Sequence, residues 1–342
     1  MRASRCVTTT LLRALQCNIQ LSPLKAPIAR ATLVNRLYSS AVDNTHLARL
    51  PDGLDIAYNT YGASNGHPVF YLHGLPGSRI EAAVWHDSAA DLGAQVIGID
   101  RPGIGLSSPH PARTILSHAE DIRYLAKHLN HSTYSVLGVS GGGPFALACA
   151  HLHPPPALRS ATLVCGMGPH DVQLSGMRFG NRVFFFCFHY MCWLPRLLAR
   201  ISAAQLHSRK LSDDNFIAVM QKKLRSPFRF SRVSDKDIEV LSDTALMRVF
   251  LASAREHFRQ GTDAFMEEGR LVTSPIGFDL GETRVPVRLW YGVQDINVPA
   301  LIGEQIARQL PEGTELFVED ESHVSLVVNC RRKVLMNILS RA

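Results

Sequence analysis

The segment from Thr133 to Ala150, TYSVLGVSGGGPFALACA, is the most informative part of the sequence, because it joins a predicted strand to a predicted helix through a turn that carries a serine. The apolar run from Tyr134 to Val139 predicts a buried strand, and the Ala-rich run that contains Pro144 in its first turn predicts a helix. The turn reads GVSGG at 138–142, a G-x-S-x-G pattern, in which the serine is lifted onto a sharp and exposed corner. The positions two before and two after the serine need glycine because the chain approaches itself there and a side chain would clash. We therefore predict that Ser140 is a nucleophile, with the positive end of the following helix directed at the reacting centre.

A second informative segment, HGLPGSR at 73–79, follows a short apolar strand. Gly74 allows the backbone to come close to a ligand, and the turn after it lets the Leu75 N–H point into a cavity. Paired with the Gly141 N–H, the Leu75 N–H would form an oxyanion hole, two donors placed where negative charge develops on a carbonyl oxygen. We expect His73 to be structural. We expect Arg79 to pair with a carboxylate of the protein rather than with an acidic group of a substrate.

Strand patterns alternate with helical patterns along most of the chain. A hairpin is predicted at 47–62, and further strands are predicted at 69–72, 95–99, 134–139, 159–166, 285–291 and 313–318. Alternation of this kind gives a mostly parallel sheet that is covered by helices on both faces. The predicted class is therefore α/β with a doubly wound sheet.

These segments resemble the α/β-hydrolase fold superfamily, in its branch of cap-bearing serine hydrolases that includes esterases and proline iminopeptidases. The resemblance covers about residues 47–342 and rests on HGLPGSR at 73–79, DRPGIGLS at 100–107, GVSGGG at 138–143, YGVQDINVP at 291–299 and ESHVSL at 321–326. Epoxide hydrolases and dehalogenases are similar too, but they carry Asp where this chain carries Ser140, which argues against those two activities. The resemblance implies a hydrolase core in two parts, at 39–169 and 281–342, with a helical cap at 170–280.

The predicted cap begins with a segment rich in apolar and aromatic residues, from Arg178 to Leu206. An aromatic face that lies outside the sheet must cover something, and we predict that it lines an apolar acyl or alkyl pocket. A dimer contact or a membrane contact is the alternative. No transmembrane segment is predicted, because the apolar run from Val183 to Leu194 is too short and is flanked by Arg182 and Arg196.

A serine hydroxyl needs a base to accept its proton. The superfamily orders nucleophile, acid and histidine along the chain, and this sequence supplies Ser140, Asp295 and His323 in that order. Asp295 and His323 each follow a predicted strand, so we expect both in loops at the carboxyl edge of the sheet. His323 would be the general base and then the general acid, while Asp295 would fix its tautomer. Asp171 stays a rival for the acid, because it follows the strand after the serine.

The predicted reaction is acyl transfer to water, the hydrolysis of an ester, thioester or amide of a small apolar substrate, with a carboxylic ester hydrolase favoured. No metal or organic cofactor is predicted, since the His and Cys residues lack metal-ligand spacing. Iminopeptidase action, C–C bond hydrolysis and acyl transfer to an alcohol stay open on the same triad, as does a non-catalytic binding protein of the same fold. A carboxylate that receives a substrate amine would favour iminopeptidase action, and Glu267 and Glu268 are candidates for it. The oligomeric state is not predicted.

The amino-terminal extension carries most of the basicity. The chain has a net charge of +7, and residues 1–42 contain six Lys or Arg and no acid, which leaves about +1 for the rest. A nearly neutral body gives no reason to expect a nucleic-acid partner. The Arg-rich, acid-free extension resembles a mitochondrial transit peptide, so we predict that residues 1–38 are one and that the protein is mitochondrial, with a cytoplasmic location as the alternative. The seven irregularly spaced cysteines predict free thiols.

Overall fold

The computed structural model describes residues 44–172, 174, 176–177, 179–208, 210–226 and 233–340, and the predicted transit peptide lies outside the described residues. One sheet contains the strands β1 (His46–Arg49), β2 (Asp55–Gly62), β3 (His67–Leu72), β4 (Ala94–Ile99), β5 (Tyr134–Val139), β6 (Leu158–Val164), β7 (Val287–Gly292) and β8 (Glu315–Glu319). Their order is β1-β2-β4-β3-β5-β6-β7-β8, and β2 runs antiparallel to its two neighbours, whereas every later pair is parallel. The mostly parallel α/β sheet predicted from the sequence is thus confirmed.

Helices cover both faces of this sheet. The α-helices of the described residues are α1 (His86–Leu92), α2 (Ile115–His128), α3 (Gly143–Leu152), α4 (Phe179–Tyr190), α5 (Trp193–Leu206), α6 (Asp213–Leu224), α7 (Asp235–Val240), α8 (Thr244–His257), α9 (Asp263–Val272), α10 (Ala300–Gln309) and α11 (His323–Leu339). Short 3-10 helices lie at Arg79–Trp85, Ser140–Gly142 and Leu280–Glu282. Successive side chains of a strand point to opposite faces, so Phe70 packs in one apolar layer, with α2 and α3, and Tyr71 packs in the other, with α1 and α11. Because both faces are buried, the central strands are apolar throughout rather than alternating.

The six helices α4 to α9, which we call the helical insertion, lie between β6 and β7. The sequence pattern from Asp235 to Gly269 is typical of helix, and the structure forms three helices in and just beyond this range, α7, α8 and α9. A new helix starts at α8 because the Asp243 side chain accepts hydrogen bonds from the backbone N–H groups of Ala245 and Leu246, at 2.8 and 3.3 Å. Such a cap satisfies backbone donors that a helix leaves unpaired at its start.

The insertion packs on the loops at the carboxyl edge of the sheet. The Ser78 backbone N–H donates to the Ser253 hydroxyl at 2.9 Å, and His257 Nδ1 lies 2.8 Å from the Gly77 carbonyl oxygen. Both insertion residues belong to α8, and both of their partners belong to the HGLPGSR loop. This contact fixes α8 directly above the segment that carries Leu75.

The sequence pattern predicts that the aromatic residues of α4 and α5 face inward, but in the structure only some of them do. Phe179, Phe186, Tyr190 and Trp193 are 81%, 52%, 72% and 62% exposed, whereas Phe188 is buried against other apolar side chains of the insertion. The prediction that this aromatic segment lines a pocket is therefore wrong for the four exposed residues. Both faces of these helices are apolar, so their sequence alone could not reveal which face turns inward.

Candidate active site

The turn around Ser140 has the geometry that its glycines require. Ser140 has a φ of +50°, a conformation that residues with a side chain rarely adopt and that concentrates at functional sites. A Cβ atom on Gly138 would lie 2.5 Å from the Gly142 carbonyl oxygen, and one on Gly142 would lie 2.1 Å from the carbonyl oxygen of Leu72. Glycine at both positions therefore lets the chain turn sharply enough to place the serine at the end of β5.

Ser140, His323 and Asp295 form one chain of hydrogen bonds. His323 Nε2 lies 3.0 Å from Ser140 Oγ, and His323 Nδ1 lies 2.6 Å from Asp295 Oδ2. The three residues follow strands β5, β8 and β7, which bring distant parts of the sequence to the same edge of the sheet. His323 was expected in a loop, but in the structure it is the first residue of α11. With a carboxylate at Nδ1, the ring proton resides there and Nε2 is left to accept the serine proton.

The Asp295 carboxylate is held from two sides. Its Oδ1 accepts the backbone N–H groups of Asn297 and Val298, at 2.8 and 3.0 Å, so that Oδ2 is directed at His323. The side chain is fully buried. A buried carboxylate fixed in this way keeps both the orientation and the tautomer of the imidazole constant.

Charge and burial act in opposite directions on the His323 imidazole. Burial by itself would lower its pKa, but the adjacent Asp295 carboxylate outweighs this effect and holds the pKa of His323 well above its ordinary value. The Cys165 Sγ lies 4.0 Å from His323 Nε2, and burial raises the pKa of this thiol, so it stays neutral. The Asp295 carboxylate thus stabilises the imidazolium that forms when a serine gives up its proton.

Asp237 of α7 reaches the start of α11, and sequence reasoning missed it. Its carboxylate accepts the backbone N–H groups of Val324 and Ser325, at 2.9 and 2.8 Å, and the Ser322 hydroxyl at 2.8 Å. A negative group at this helix end satisfies free donors and complements the helix dipole. Asp237 therefore fixes the turn that carries His323. No local sequence signal reveals this role, because the partners lie more than 80 residues apart.

The Leu75 and Gly141 backbones approach each other beside Ser140. A Cβ atom built on Gly141 would lie only 3.3 Å from the Leu75 nitrogen, and within the described chain the Leu75 N–H donates to no other residue. The two residues follow β3 and β5, which are neighbours at the point where the order of the strands reverses. This point is where open α/β sheets bind their ligands.

A buried ion pair supports the loop before Leu75. Arg101 donates to the carbonyl oxygens of His73 and Gly74, at 2.8 and 3.3 Å, and to Glu268 Oε2 at 2.8 Å. Arg113 adds a second contact to Glu268, at 3.4 Å. Burial and the Arg101 charge hold the pKa of His73 well below its ordinary value, which suits the structural role expected for this residue.

Other polar residues that the sequence singled out are engaged elsewhere. Arg79 pairs with Asp100 and Glu256, which confirms the prediction that it binds a carboxylate of the protein. Asp171 is exposed and accepts from the Gln309 side chain at 3.2 Å, so it does not take the place of Asp295 beside His323.

Among the described residues, one group of potential metal ligands, Cys165, Asp295 and His323, has its ligand atoms within 4.8 Å of one another. An ion bound to His323 there would compete with the hydrogen bonds that the ring makes to Asp295 or Ser140. The hydrogen bonds of His323 to Asp295 and Ser140 are sufficient to explain why these side chains lie so close together. The cysteines that the structure describes, Cys149, Cys165, Cys187, Cys192 and Cys330, are free thiols.

Comparisons with known proteins agree with the fold. A family model described as the alpha/beta hydrolase fold matches residues 67–184. The chain is 33% identical over 102 residues to a probable proline iminopeptidase of Leptolyngbya boryana and 35% identical over 118 residues to a proline iminopeptidase of Clostridium botulinum. These matches cover 29% and 32% of this chain but only 32% and 40% of the two relatives.

Solved structures extend the likeness to nearly the whole described chain. An esterase from Rhodococcus sp. ECU1013 has a TM-score of 0.57 at 19% identity, with 87% of this chain and 100% of that one covered. An esterase from Exiguobacterium antarcticum has a TM-score of 0.56 at 16% identity, with coverage of 86% and 97%. Together with the observed sheet, these findings show that the chain has the α/β-hydrolase fold.

Proposed function

We propose that this protein is a serine hydrolase that cleaves an ester, thioester or amide of a small apolar substrate, with Ser140 as nucleophile, His323 as base and Asp295 as the acid. The observation that carries the proposal is the continuous path from Ser140 Oγ to His323 Nε2, at 3.0 Å, and from His323 Nδ1 to Asp295 Oδ2, at 2.6 Å. These distances let one proton move from the hydroxyl to the imidazole as the hydroxyl attacks.

The first half of the reaction forms an acyl-enzyme. Ser140 Oγ attacks the substrate carbonyl carbon and its proton passes to His323 Nε2, while the N–H groups of Leu75 and Gly141 stabilise the charge on the carbonyl oxygen. When this intermediate collapses, His323 gives its proton to the departing alcohol, thiol or amine. Asp295 stabilises the transient imidazolium throughout.

The second half releases the acid. A water molecule gives a proton to His323 Nε2 and attacks the acyl carbon, and the second tetrahedral intermediate uses the same two N–H donors. Its collapse returns the proton to Ser140 Oγ and liberates the carboxylic acid. The helical insertion would act as a cap over these steps, since α8 contacts the loop that carries Leu75.

Iminopeptidase action is the second candidate, and the named relatives support it. It requires a carboxylate that is able to receive the substrate amine. Both oxygens of Glu268 are engaged by Arg101, and Glu267 is paired with Arg270 at the surface, at 2.6 Å. Because both candidate carboxylates already have cationic partners, we favour an uncharged acyl substrate.

A substrate panel separates these two candidates. The full chain would be assayed with p-nitrophenyl esters of increasing acyl length and with proline arylamide, beside Asp295→Asn and the control Asp171→Asn. The proposal expects ester turnover that exceeds arylamide turnover and that falls by orders of magnitude only in Asp295→Asn. Preferential turnover of the proline arylamide would establish the iminopeptidase instead, and an equal loss in Asp171→Asn would refute the assignment of the acid.

A further inference from the structure

The outward face of α4 and α5 is apolar, whereas the solvent face of a helix is ordinarily polar. On α4 the exposed apolar positions recur at spacings of four, three and four residues, so they form one stripe. On α5 three of them recur every four residues and form a second stripe, with the exposed Leu198 beside it. The members of the two stripes are Phe179, Val183, Phe186 and Tyr190 on α4 and Trp193, Leu197 and Ile201 on α5. We call these seven residues the outer apolar face.

The two stripes belong to one surface. Phe188 of α4 and Ala199 of α5 are buried in the same apolar cluster, together with Phe258, Phe265 and Met266. Because both helices turn their inner sides toward this cluster, their opposite sides point away from the protein. Two loop residues between the helices, Met191 and Cys192, are exposed as well, so the exposed surface continues from one helix to the next.

The charge of this region has a single sign. Between Asp171 and Asp213 the sequence contains no aspartate or glutamate. Arg182, Arg200 and Lys210 are exposed within that interval. The two helices thus combine exposed aromatic and aliphatic side chains with cations and carry no carboxylate of their own. Asp263 of α9, which is 86% exposed, pairs with Arg196 of α5 at 2.5 Å.

We propose that the outer apolar face docks on the surface of a bilayer that contains anionic phospholipid. Aromatic and aliphatic side chains would enter the boundary between headgroups and acyl chains, while the cations contact lipid phosphates, the arrangement of interfacial helices. The helices lie on the membrane rather than cross it: α4 and α5 have 12 and 14 residues, against the roughly 20 that a span needs. No helix within the described part of the chain has the length and apolar character of a membrane span.

A second copy of the chain fits this surface less well. Dimers ordinarily place the same patch of both subunits against itself. Such a contact would bring Arg182 and Arg200 toward their own copies across an interface whose helices contain no carboxylate, and like charges in that position are unfavourable. An anionic surface supplies the missing charge.

Trp193 makes the proposal directly testable. The chain contains three tryptophans, of which Trp85 and Trp290 are buried and Trp193 is 62% exposed. Entry of the outer apolar face into lipid would shift the Trp193 emission to shorter wavelength and allow quenching by brominated acyl chains. This local readout is needed because residues 1–42, with six cations and no acid, could bring the chain to anionic vesicles independently.

The full chain, carrying Ser140→Ala to prevent turnover, would be mixed with vesicles of phosphatidylcholine alone or of phosphatidylcholine with phosphatidylglycerol. We expect flotation, a blue shift and bromine quenching with the anionic vesicles. Phe186→Ser with Leu197→Ser should abolish the shift, and Arg182→Glu with Arg200→Glu should weaken binding at least tenfold. Met336→Ser, which alters an exposed apolar residue of α11, is the matched control and should behave as the parent.

Three results would overturn the proposal. The first is an unchanged Trp193 spectrum with both kinds of vesicle. The second is a blue shift and bromine quenching of Trp193 that the Phe186 and Leu197 substitutions leave intact. The third is a salt-stable dimer that the same substitutions dissociate. None of these readouts depends on hydrolysis, so the proposed function and the membrane contact stand or fall separately.

Discussion

Replacement of Glu268 by Gln should destabilise the protein far more than the same change at the neighbouring Glu267. Glu268 is completely buried and faces Arg101 and Arg113, whose side chains are 1% and 2% exposed. Removal of one partner from a buried ion pair costs about 3–5 kcal/mol, because the remaining charge is left uncompensated. Since Gln can still accept hydrogen bonds, we expect a loss near the lower limit, about 3 kcal/mol.

Glu267→Gln is the matched control, because it makes the same chemical change one residue away. Glu267 pairs with Arg270 on the same helix, three residues along, and the two side chains are 25% and 50% exposed. Exposed pairs at this spacing contribute about 0.2–0.5 kcal/mol. Urea unfolding of the full chain, followed by circular dichroism, would measure both losses.

The pH dependence gives a second readout of the same interaction. Burial alone would raise the pKa of Glu268, but Arg101 and Arg113 outweigh it and hold the pKa well below its ordinary value. A carboxylate with a depressed pKa stabilises the fold above its unfolded value, about pH 4.3, and this contribution is lost as pH falls toward the folded pKa. The difference in stability between wild type and Glu268→Gln should therefore be full at neutral pH and shrink in acid.

Glu268→Gln should also reduce activity, since Arg101 holds the carbonyl groups just before Leu75. Its kcat/KM for a short p-nitrophenyl ester should fall at least tenfold, with Glu267→Gln unchanged. If the two variants unfold at the same urea concentration and hydrolyse the ester equally well, the ion pair does not support this loop and the reasoning fails.

Three further predictions concern the same edge of the sheet. Asp237→Ala removes a buried helix cap, so it should lower the free energy of unfolding by about 2 kcal/mol and reduce kcat. The control Asp235→Ala changes an exposed residue and should cost less than about 1 kcal/mol. Equal losses of stability in urea denaturation would contradict the capping role of Asp237. His323 must be neutral to accept a proton and its pKa is raised, so the acid limb of kcat/KM should lie above pH ~6.5. Asp295→Asn should move that limb to lower pH and reduce the maximal kcat/KM. A limb that does not move would show that Asp295 does not set the pKa of His323. Gly142→Ala would place a Cβ atom 2.1 Å from a backbone oxygen of β3, so it should yield little folded protein in an expression and solubility assay.

The sequence predicted the sheet and most of the candidate site because both depend on local patterns. Buried strands are apolar runs, and the glycines that the turn at Ser140 requires form a recognisable local motif. The order of strands then places Ser140, Asp295 and His323 at one edge without knowledge of any side-chain contact. The predicted roles of these residues stay proposals, as do the boundaries of the cap, the transit peptide and the mitochondrial location.

Contacts between residues far apart in the chain could not be predicted from the sequence. Asp237 caps a helix that begins more than 80 residues later, and Glu268 meets an arginine 167 positions earlier. Nothing in the neighbouring residues distinguishes Glu268 from Glu267, although one is buried and the other lies at the surface. The orientation of α4 and α5 was equally hidden, because a helix that is apolar on both faces gives no signal for which face turns inward.

The role of Ser140 as nucleophile can be tested by labelling the folded full chain with a fluorophosphonate probe, which reacts with an activated serine, beside Ser140→Ala. Wild type should be labelled, and Ser140→Ala should not. If wild type takes up neither this probe nor a smaller phosphonate that passes a closed cap, Ser140 is not an activated nucleophile. Labelling that persists in Ser140→Ala would equally rule out Ser140 as the nucleophile, because it would place the reactive serine elsewhere.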